Sequence, residues 1–281
     1  KPFIMRFVLG LFKPRKTILG TDFAGKVEST GKNVKSFITG DKVFGFNDTG
    51  SESQAEYVTT TVENLFLIPE KIDYKQAAAS LEGASYAYSF IHKVNIQSGQ
   101  NILINGATGG IGSALLQFVR QYDVNITATC NTNNIQLIKS LGADNIYDYT
   151  KKDFTKENDK YDFIFDAVGK STFGKCLSLL KEKGVYISSE LGPYSQNIFY
   201  PLLTSILSKK VIFPIPYSKQ KTIPYICNLL EKGKFNPVID REYALEDISK
   251  AYEYVIKGQK IGNVLIDAHS SSSQYKIEEA A

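Results

Sequence analysis

Cysteine and histidine are scarce in this chain of 281 residues. The three cysteines, Cys130, Cys176 and Cys227, lie far apart, and none of them forms a C-x-x-C pair. This spacing argues against a cysteine zinc knuckle and is typical of a protein kept in a reducing compartment. Since His92 and His269 are the only histidines, a histidine-rich metal site is excluded, and both are expected to be surface or helix-packing residues.

Long apolar segments and a strong charge imbalance are missing as well. No run approaches the roughly 18 apolar residues that a membrane span requires. The net charge of +4 is small and the lysines are scattered, which predicts a solvated surface rather than a nucleic-acid footprint. With 43% hydrophobic and 22% charged residues, the chain has the composition of a globular protein of about two domains. We therefore expect a cytoplasmic protein without a nucleic-acid partner or a membrane span.

Methionine is nearly absent, and its position bears on how the chain begins. Because Met5 is the only methionine, we expect that a segment ahead of Lys1 has been removed. A signal peptide is the less favoured explanation, since Arg6 and Gly10 interrupt the apolar stretch 3–12 and no small-residue cleavage site follows.

The feature around which the chain is organised is a cluster of glycines. The apolar run 101–104 leads into this cluster, and from Ile111 to Val119 apolar residues recur at helical spacing. This order predicts a strand, a tight turn and a helix. Glycines at the start of a helix expose backbone N–H groups to a bound phosphate, and the helix dipole adds attraction for the anion.

The cluster matches the dinucleotide-binding pattern G-x-G-x-x-G with one substitution, because Ala107 stands in place of the first glycine. The residues expected to bind the cofactor phosphates are Thr108, Gly109, Gly110, Ile111 and Gly112. Any strand-to-helix turn favours glycine, so the pattern taken alone leaves a purely structural turn open.

The surrounding sequence favours the dinucleotide interpretation. Strands are predicted at 125–130, 161–166 and 184–189, and helices at 135–141 and 171–180. With the strand before the glycines, four strands alternate with helices. This alternation indicates an α/β fold with a doubly wound parallel sheet, whose ligand lies at the carboxyl ends of the strands.

The segments on either side of this region have a different pattern. Short β-branched stretches separated by glycines over 18–57 predict a compact antiparallel barrel, and a helix is predicted over 74–93. Near the other end we predict a strand over 237–243, an amphipathic helix over 245–256 and a strand over 264–266, packed back on the first domain.

These patterns predict a division into two domains. A substrate domain is expected over 1–82, completed by 237–268, and a dinucleotide-binding domain over 83–236. The serine-rich and charged stretch 269–281 has no apolar face to bury and is expected to be disordered.

A series of stretches, taken in order, resembles the zinc-independent quinone oxidoreductases of the medium-chain dehydrogenase/reductase superfamily. They are 19–25, 40–45, 55–58, 105–112, 140–144 with 147–149, 165–169 and 261–264. The resemblance implies a Rossmann domain and a GroES-like β-barrel domain, with the active site between them. Because family members carry further barrel strands ahead of the position of Lys1, it also implies that the barrel is incomplete at its amino terminus.

The resemblance extends to the absence of zinc. Where the zinc-dependent relatives carry a His-Glu pair, this chain has Thr21 and Asp22, and the position of a second zinc-binding Cys falls near Ala84. Since three ligands are usually needed, one carboxylate is a poor zinc site, and we predict activity without a metal.

The residues after the second strand indicate which dinucleotide binds. NAD-preferring sites carry Asp or Glu about twenty residues past the glycines, whereas this chain has Asn131 and Thr132. Hydrogen-bond donors without a carboxylate favour NADPH. By resemblance, Tyr149 lies against the 2′-phosphate, although the lysine that some relatives carry near position 134 is missing, so phosphate binding lacks its usual charge. A simple turn role for the asparagine stays open.

Hydride transfer requires orientation and a dry cleft rather than a nucleophilic side chain, because the cofactor carries the chemistry. By resemblance, Ser85 hydrogen-bonds the nicotinamide carboxamide, while Val168 and the Leu191–Gly192 turn border the nicotinamide. A role for Ser85 as an ordinary helix-start residue stays open. No catalytic residue that would meet the negative charge on the acceptor oxygen is identified from the sequence.

Two functions remain at this stage. The first is an NADPH-dependent reductase, of the enoyl reductase kind, acting on a small-molecule quinone or α,β-unsaturated carbonyl. The second is a non-catalytic NADPH-binding protein, such as a sensor, a structural protein or a truncated pseudoenzyme, because the glycine turn would survive loss of the substrate pocket. The formation of a homodimer is left open.

Overall fold

The computed structural model describes residues 18–47 and 50–269. The expectations for the apolar stretch 3–12 and for disorder over 270–281 lie outside these residues. None of the helices in the described part of the chain is long and apolar enough to cross a membrane.

The chain divides into two compact units. Among the described residues, the first comprises 18–47, 50–81, 241–259 and 264–269, and the second comprises 82–240 and 260–263. The short segment 260–263 belongs to the second unit because the N–H of Gly262 donates to the carbonyl of Thr108 at 2.6 Å. The domain limits expected from the sequence stay predictions.

In the described part of the first unit, an antiparallel sheet has the order β1–β2–β3. Its strands are β1 (Asp22–Lys26), β2 (Lys42–Phe46) and β3 (Leu65–Leu67). Phe44, in the central strand, is fully buried and lies opposite Ala24 and Phe66 in the two neighbouring strands. The antiparallel arrangement is as predicted, but the third strand lies beyond the predicted range.

The helix predicted over 74–93 is two helices, α1 (Tyr74–Ala79) and α2 (Glu82–Ile91). The side chain of Asp73 caps α1 by accepting a hydrogen bond from the Gln76 N–H at 2.7 Å. At Ser80 the backbone leaves the helical region, and the Ser80 hydroxyl donates to the Ala77 carbonyl at 2.8 Å. A side chain that competes for a helix carbonyl favours a helix end, which explains the break.

In the described part of the second unit, six parallel strands form a sheet with the order β6–β5–β4–β7–β8–β9. The strands are β4 (Asn101–Asn105), β5 (Asn125–Cys130), β6 (Asn145–Asp148), β7 (Tyr161–Asp166), β8 (Leu180–Ser188) and β9 (Lys210–Ile212). The predicted doubly wound sheet is therefore present. The short strands β6 and β9 were not predicted, because neither has a periodic apolar pattern of its own.

Helices follow most of these strands, as a parallel sheet requires. They are α3 (Gly110–Val119), α4 (Ile135–Ser140), α5 (Phe173–Cys176), α6 (Gln196–Leu203) and α7 (Lys219–Glu231). The helix predicted over 171–180 is only the single turn α5, because the chain enters β8 already at Leu180.

The core of the second unit lies between this sheet and its helices. Ile102, Ile104 and Leu115 are fully buried, as expected for parallel strands covered on both faces. Helices α2 and α3 pack so closely that a Cβ atom added to Gly83 would lie 3.1 Å from the carbonyl carbon of Gly110. Strand β5 pairs with one edge of β4, and β7 pairs with the other edge. The strand order therefore reverses direction at β4, which leaves a crevice at the carboxyl end of this strand.

Near the end of the chain, β10 (Ile239–Ala244) pairs with β11 (Asn263–Asp267), and α8 (Ile248–Ile256) lies between them in sequence. Both strands and the helix were predicted, although the amphipathic helix begins three residues later, after a short 3-10 turn at 245–247. Within the first unit, Tyr252 of α8 shares a hydrogen bond with Gln54 at 2.9 Å.

Candidate cofactor-binding site

The glycine turn begins at Gly106, directly after β4, with a left-handed backbone (φ 82°). Its N–H donates to the Thr129 hydroxyl at 2.9 Å, and the N–H of Ala107 donates to the Thr129 carbonyl at 3.2 Å. A Cβ atom on Gly106 would lie 2.6 Å from Cβ of Val168. Only glycine satisfies both the positive φ and this close approach.

Helix α3 opens toward the carboxyl edge of the sheet without a side-chain cap. Its N-cap residue is Gly109, and the N–H groups of Ile111 and Gly112 have no carbonyl one turn earlier in the helix. A Cβ atom on Gly112 would lie 2.1 Å from the carbonyl oxygen of Gly106, whereas one on Gly109 would have its nearest neighbour at 3.7 Å. Gly112 therefore allows the close packing, and Gly109 leaves the helix end open.

A bound pyrophosphate fits this arrangement. Backbone N–H groups at an uncapped helix end attract phosphate oxygens, and the helix dipole contributes further. The predicted residues Thr108 to Gly112 all lie in this turn and the first turn of α3. Their role in binding stays a prediction.

A segment from near the end of the chain lies against the same turn, which sequence reasoning did not anticipate. Gly262 forms a parallel bridge with Gly109, and the Lys260 ammonium donates to the Gly262 carbonyl at 2.7 Å. Burial lowers the pKa of Lys260 below its usual range, although Asp240 opposes the shift. The segment places a positive charge beside the glycine turn. The only sequence signal for the segment 260–263 was that 261–264 resembles the family, and this resemblance assigned the segment no role in cofactor binding.

A buried carboxylate organises the neighbouring loop. Asp166, at the end of β7, is fully buried and accepts hydrogen bonds from the Asn105 amide at 3.0 Å and the Tyr186 hydroxyl at 2.7 Å. It also accepts from the N–H groups of Val168 at 3.2 Å and Gly169 at 2.9 Å. Burial raises the pKa of Tyr186, so that its hydroxyl stays a donor. Asp166 thereby fixes Val168 over the turn, a role that the sequence did not reveal.

The residues predicted at the adenosine end come together at the ends of β5 and β6. Asn131 caps a short 3-10 turn by accepting a hydrogen bond from the Asn134 N–H at 3.2 Å. The Thr132 hydroxyl donates to the Asp148 carboxylate at 2.5 Å. Tyr149 is held by its N–H, which donates to the Cys130 carbonyl at 3.0 Å, and more than half of its side-chain surface is exposed.

Asp148 corrects one step of the sequence argument. No carboxylate was expected near this loop, but the parallel pairing of β5 and β6 places Cys130 beside Asp148, which brings this carboxylate to Thr132. The hydroxyls of Thr132 and Thr150 lower the pKa of Asp148 to about 2, so that it is charged at neutral pH. Thr132 is therefore already engaged as a donor.

At the predicted nicotinamide end, Ser85 lies buried in α2, and within the described residues its hydroxyl has no hydrogen-bond partner. A buried hydroxyl without a partner is unfavourable, and the carboxamide of a bound nicotinamide would satisfy it. Val168 and Leu191 are partly exposed apolar residues at 40% and 41%, and Gly192 has a left-handed backbone (φ 70°). The side chains are of the kind that the predicted contacts require.

The positions that correspond to zinc ligands in the zinc-dependent relatives carry no ligand set. Thr21 precedes β1, and Ala84 is buried in α2. Across residues 18–47 and 50–269, no three His, Cys, Asp or Glu side chains are grouped so that they could hold a metal ion. His92, as expected, packs on a helix, where its ring stacks on Tyr88 with 3.7 Å between the ring centres. Activity without a metal stays a prediction.

Two family profiles match the chain. One, described as zinc-binding dehydrogenase, matches residues 141–266, and the other, described as alcohol dehydrogenase GroES-like domain, matches residues 4–72. The quinone oxidoreductase of Homo sapiens is 31% identical over 255 residues, which cover 85% of this chain and 76% of that protein. The chain belongs to the quinone oxidoreductase family.

A further relative is similar in sequence, and a solved structure has the same fold. The chloroplastic NADPH-dependent alkenal/one oxidoreductase of Arabidopsis thaliana is 30% identical over 264 residues, which cover 90% of this chain and 64% of that protein. The structure of the quinone oxidoreductase from Coxiella burnetii superposes with a TM-score of 0.82 at 22% identity, over 96% of this chain and 84% of that one. The predicted quinone oxidoreductase family, the α/β fold with a GroES-like domain and the assignment as an oxidoreductase are confirmed, whereas independence of zinc stays a prediction.

Proposed function

We propose that this chain transfers hydride from NADPH to a quinone or an α,β-unsaturated carbonyl. The observation that carries the proposal is the uncapped glycine turn at the end of β4, in a member of the quinone oxidoreductase family. NADPH is supported by the absence of an acidic residue directly after β5 and by the name of the Arabidopsis relative.

The residues of the site would divide the work of binding and orientation. Bound NADPH would supply the hydride, so the protein has to hold the cofactor and exclude water. The backbone from Thr108 to Gly112 would hold the pyrophosphate, and the Ser85 hydroxyl would fix the carboxamide. Val168, held in place by Asp166, would keep the nicotinamide ring aligned with the carbon of the acceptor that receives the hydride.

The proposal is tested by the range of acceptors. NADPH oxidation would be followed with ortho- and para-quinones and small enones, and the reverse direction with simple alcohols and NADP. We expect turnover of at least one quinone or enone and none of the alcohols. Oxidation of alcohols without reduction of any quinone or enone would contradict the proposal, and binding of NADPH without any turnover would favour the non-catalytic alternative.

A homodimer is part of the proposal. In the described part of the sheet, β9 is an edge strand, and a groove of about 420 Å³ beside it is lined mainly by apolar side chains that include Pro201 and Phe213. Leu202 and Ile206 nearby are 80% and 91% exposed. An exposed edge with apolar side chains is the surface that a second copy would cover.

The homodimer is tested by sedimentation of the unmutated protein and of Ile206→Glu. We expect a dimer that the substitution converts to a monomer. Ile256→Glu, at a residue of α8 that is 80% exposed, is the matched control and should leave the dimer intact. A monomeric unmutated protein would contradict the proposal.

The cytoplasmic location that the cysteines suggest is likewise a proposal, since the Arabidopsis relative is described as chloroplastic. Fractionation of the cells that produce the protein, with detection by an antibody against the chain, tests the cytoplasmic location. Recovery of the protein in an organelle fraction would overturn this proposal.

A further inference from the structure

The turn that follows β6 carries a lysine, and a positive charge for the 2′-phosphate was not found in the loop after β5. Lys151 follows Asp148 by three residues, and its ammonium nitrogen lies 3.5 Å from Oδ2 of the Asp148 carboxylate. The Thr132 hydroxyl contacts the same Oδ2 at 2.5 Å. A lysine on the turn after β6 is thereby brought to the loop after β5, where some relatives carry their own lysine near position 134.

Hydrogen bonds hold this turn in one shape. The backbone N–H groups of Lys151 and Lys152 both donate to the Asp148 carbonyl at 3.0 Å. Oδ1 of Asp148 accepts from the Thr150 hydroxyl at 2.6 Å and from the Thr150 N–H at 3.0 Å. The Thr132 and Thr150 hydroxyls lie 3.2 Å apart. The turn is therefore fixed relative to the loop after β5. The backbone position from which the Lys151 side chain extends is fixed as well.

The Lys151 side chain itself is held loosely. Its contact with Asp148 is longer than a hydrogen bond of ordinary length, and 66% of its surface is exposed. Only 11% of the Asp148 side chain is exposed, but the exposed ammonium lies at 3.5 Å from it, and an ion pair with a solvated lysine contributes little to stability. The ammonium can therefore turn from the carboxylate to a stronger partner. A phosphate group is such a partner, because it offers charged acceptor oxygens.

We propose that Lys151 is the cation that binds the 2′-phosphate of NADPH and sets the preference for NADPH over NADH. The inference rests on the proposed function and adds to it the residue that selects the cofactor. Lys151 also offsets the charge of Asp148, which would otherwise repel the phosphate from Thr132 and Tyr149. NADH lacks the phosphate and gains nothing from the ammonium.

The test is equilibrium binding of both dinucleotides, followed by their fluorescence, to the unmutated protein and to Lys151→Gln. We expect NADPH to bind about tenfold more weakly to the variant, the effect of one charge-assisted contact, and NADH to bind as before. Lys151→Arg should retain most of the NADPH affinity. Lys152→Gln is the matched control, because Lys152 is equally exposed but faces Glu157 at 3.8 Å, and it should leave both affinities unchanged.

The possible results separate this inference from the proposed function. If the unmutated protein binds neither dinucleotide, the proposed function fails and the inference with it. If NADPH binds but Lys151→Gln weakens both dinucleotides equally, or neither, the proposed function stands and Lys151 does not select the cofactor. Tighter binding of NADH to the unmutated protein would show that the Asp148 charge prevails, which overturns the inference.

Discussion

At the scale of single residues, the glycines of the turn after β4 have different physical roles. Gly106 is required by its positive φ, and Gly112 by a carbonyl oxygen that would lie 2.1 Å from any Cβ atom. Gly109 has neither constraint, since its φ is −74° and a Cβ atom would have its nearest neighbour at 3.7 Å. The absence of a side chain at Gly109 therefore keeps the space in front of the helix open, and it is not required by the packing behind the turn.

This difference predicts the effect of Gly109→Val. The variant should fold, because its backbone angles suit valine and its Cβ atom has room, but it should lose NADPH binding because the side chain occupies the place of the pyrophosphate. Fluorescence titration with NADPH and circular dichroism check the two parts. Gly174→Val is the control, since a Cβ atom there meets nothing within 4 Å and binding should persist. Unchanged NADPH affinity in folded Gly109→Val would contradict the dinucleotide site.

At the scale of secondary-structure elements, the ends of β4, β7 and β8 are joined by the hydrogen bonds of Asp166. The carboxylate accepts from Asn105 at the end of β4 and from Tyr186 within β8, and it holds the loop that carries Val168. Removing a charge that several donors surround leaves those donors buried without a partner. The network therefore links the stability of the sheet to the position of the loop beside the proposed cofactor site.

We predict that Asp166→Asn lowers the free energy of unfolding by about 3 kcal/mol, because its amide group would face donors. Tyr186→Phe removes one donor and leaves the carboxylate with others, so its effect should be smaller, about 1 kcal/mol. Urea unfolding curves measure both. Equal stabilities of Asp166→Asn and the unmutated protein would show that the network contributes little.

At the scale of the whole molecule, the burial of the cysteines bears on their reactivity toward the acceptors that the protein is proposed to reduce. Cys130 and Cys176 are buried, and Cys227 is half-buried. Burial raises the pKa of Cys130, Cys176 and Cys227, each to about 11. A raised thiol pKa lowers the fraction of reactive thiolate at neutral pH.

We therefore predict that a chromogenic disulfide reagent reacts slowly with the folded protein at neutral pH. The reaction should accelerate as the pH rises toward 11, because the thiolate form appears there, and should be fast at neutral pH once urea unfolds the chain. Rapid modification of the folded protein at pH 7 would contradict the protected state of the thiols.

Metal chelation tests a second property of the whole molecule. Because the described residues offer no group of three metal ligands, we predict that a chelator changes neither the unfolding temperature nor the rate of NADPH oxidation. Elemental analysis is the independent measurement, and stoichiometric zinc in the purified protein would overturn the prediction.

The sequence by itself determined those features that depend on neighbouring residues. The glycine turn and the strands β4, β5 and β7 were predicted, because each combines an apolar run with turn residues in a short window. The helix over 74–93 was predicted as one piece because its apolar pattern continues through Ser80, and the sequence does not show that the Ser80 hydroxyl bonds to a helix carbonyl. The strands β6 and β9 were not predicted, because three or four residues are too few to show a periodic apolar pattern.

Only the tertiary structure decided which distant residues share the site. Asp148 reaches Thr132 because β5 and β6 pair in parallel register, and Gly262 reaches Gly109 from near the end of the chain. Asp166 carries no sequence signal of its role, since its donors come from separate elements. Local patterns are set by backbone geometry within a few residues, whereas the charges around a cofactor are set by strand order and register, which no short window of sequence contains.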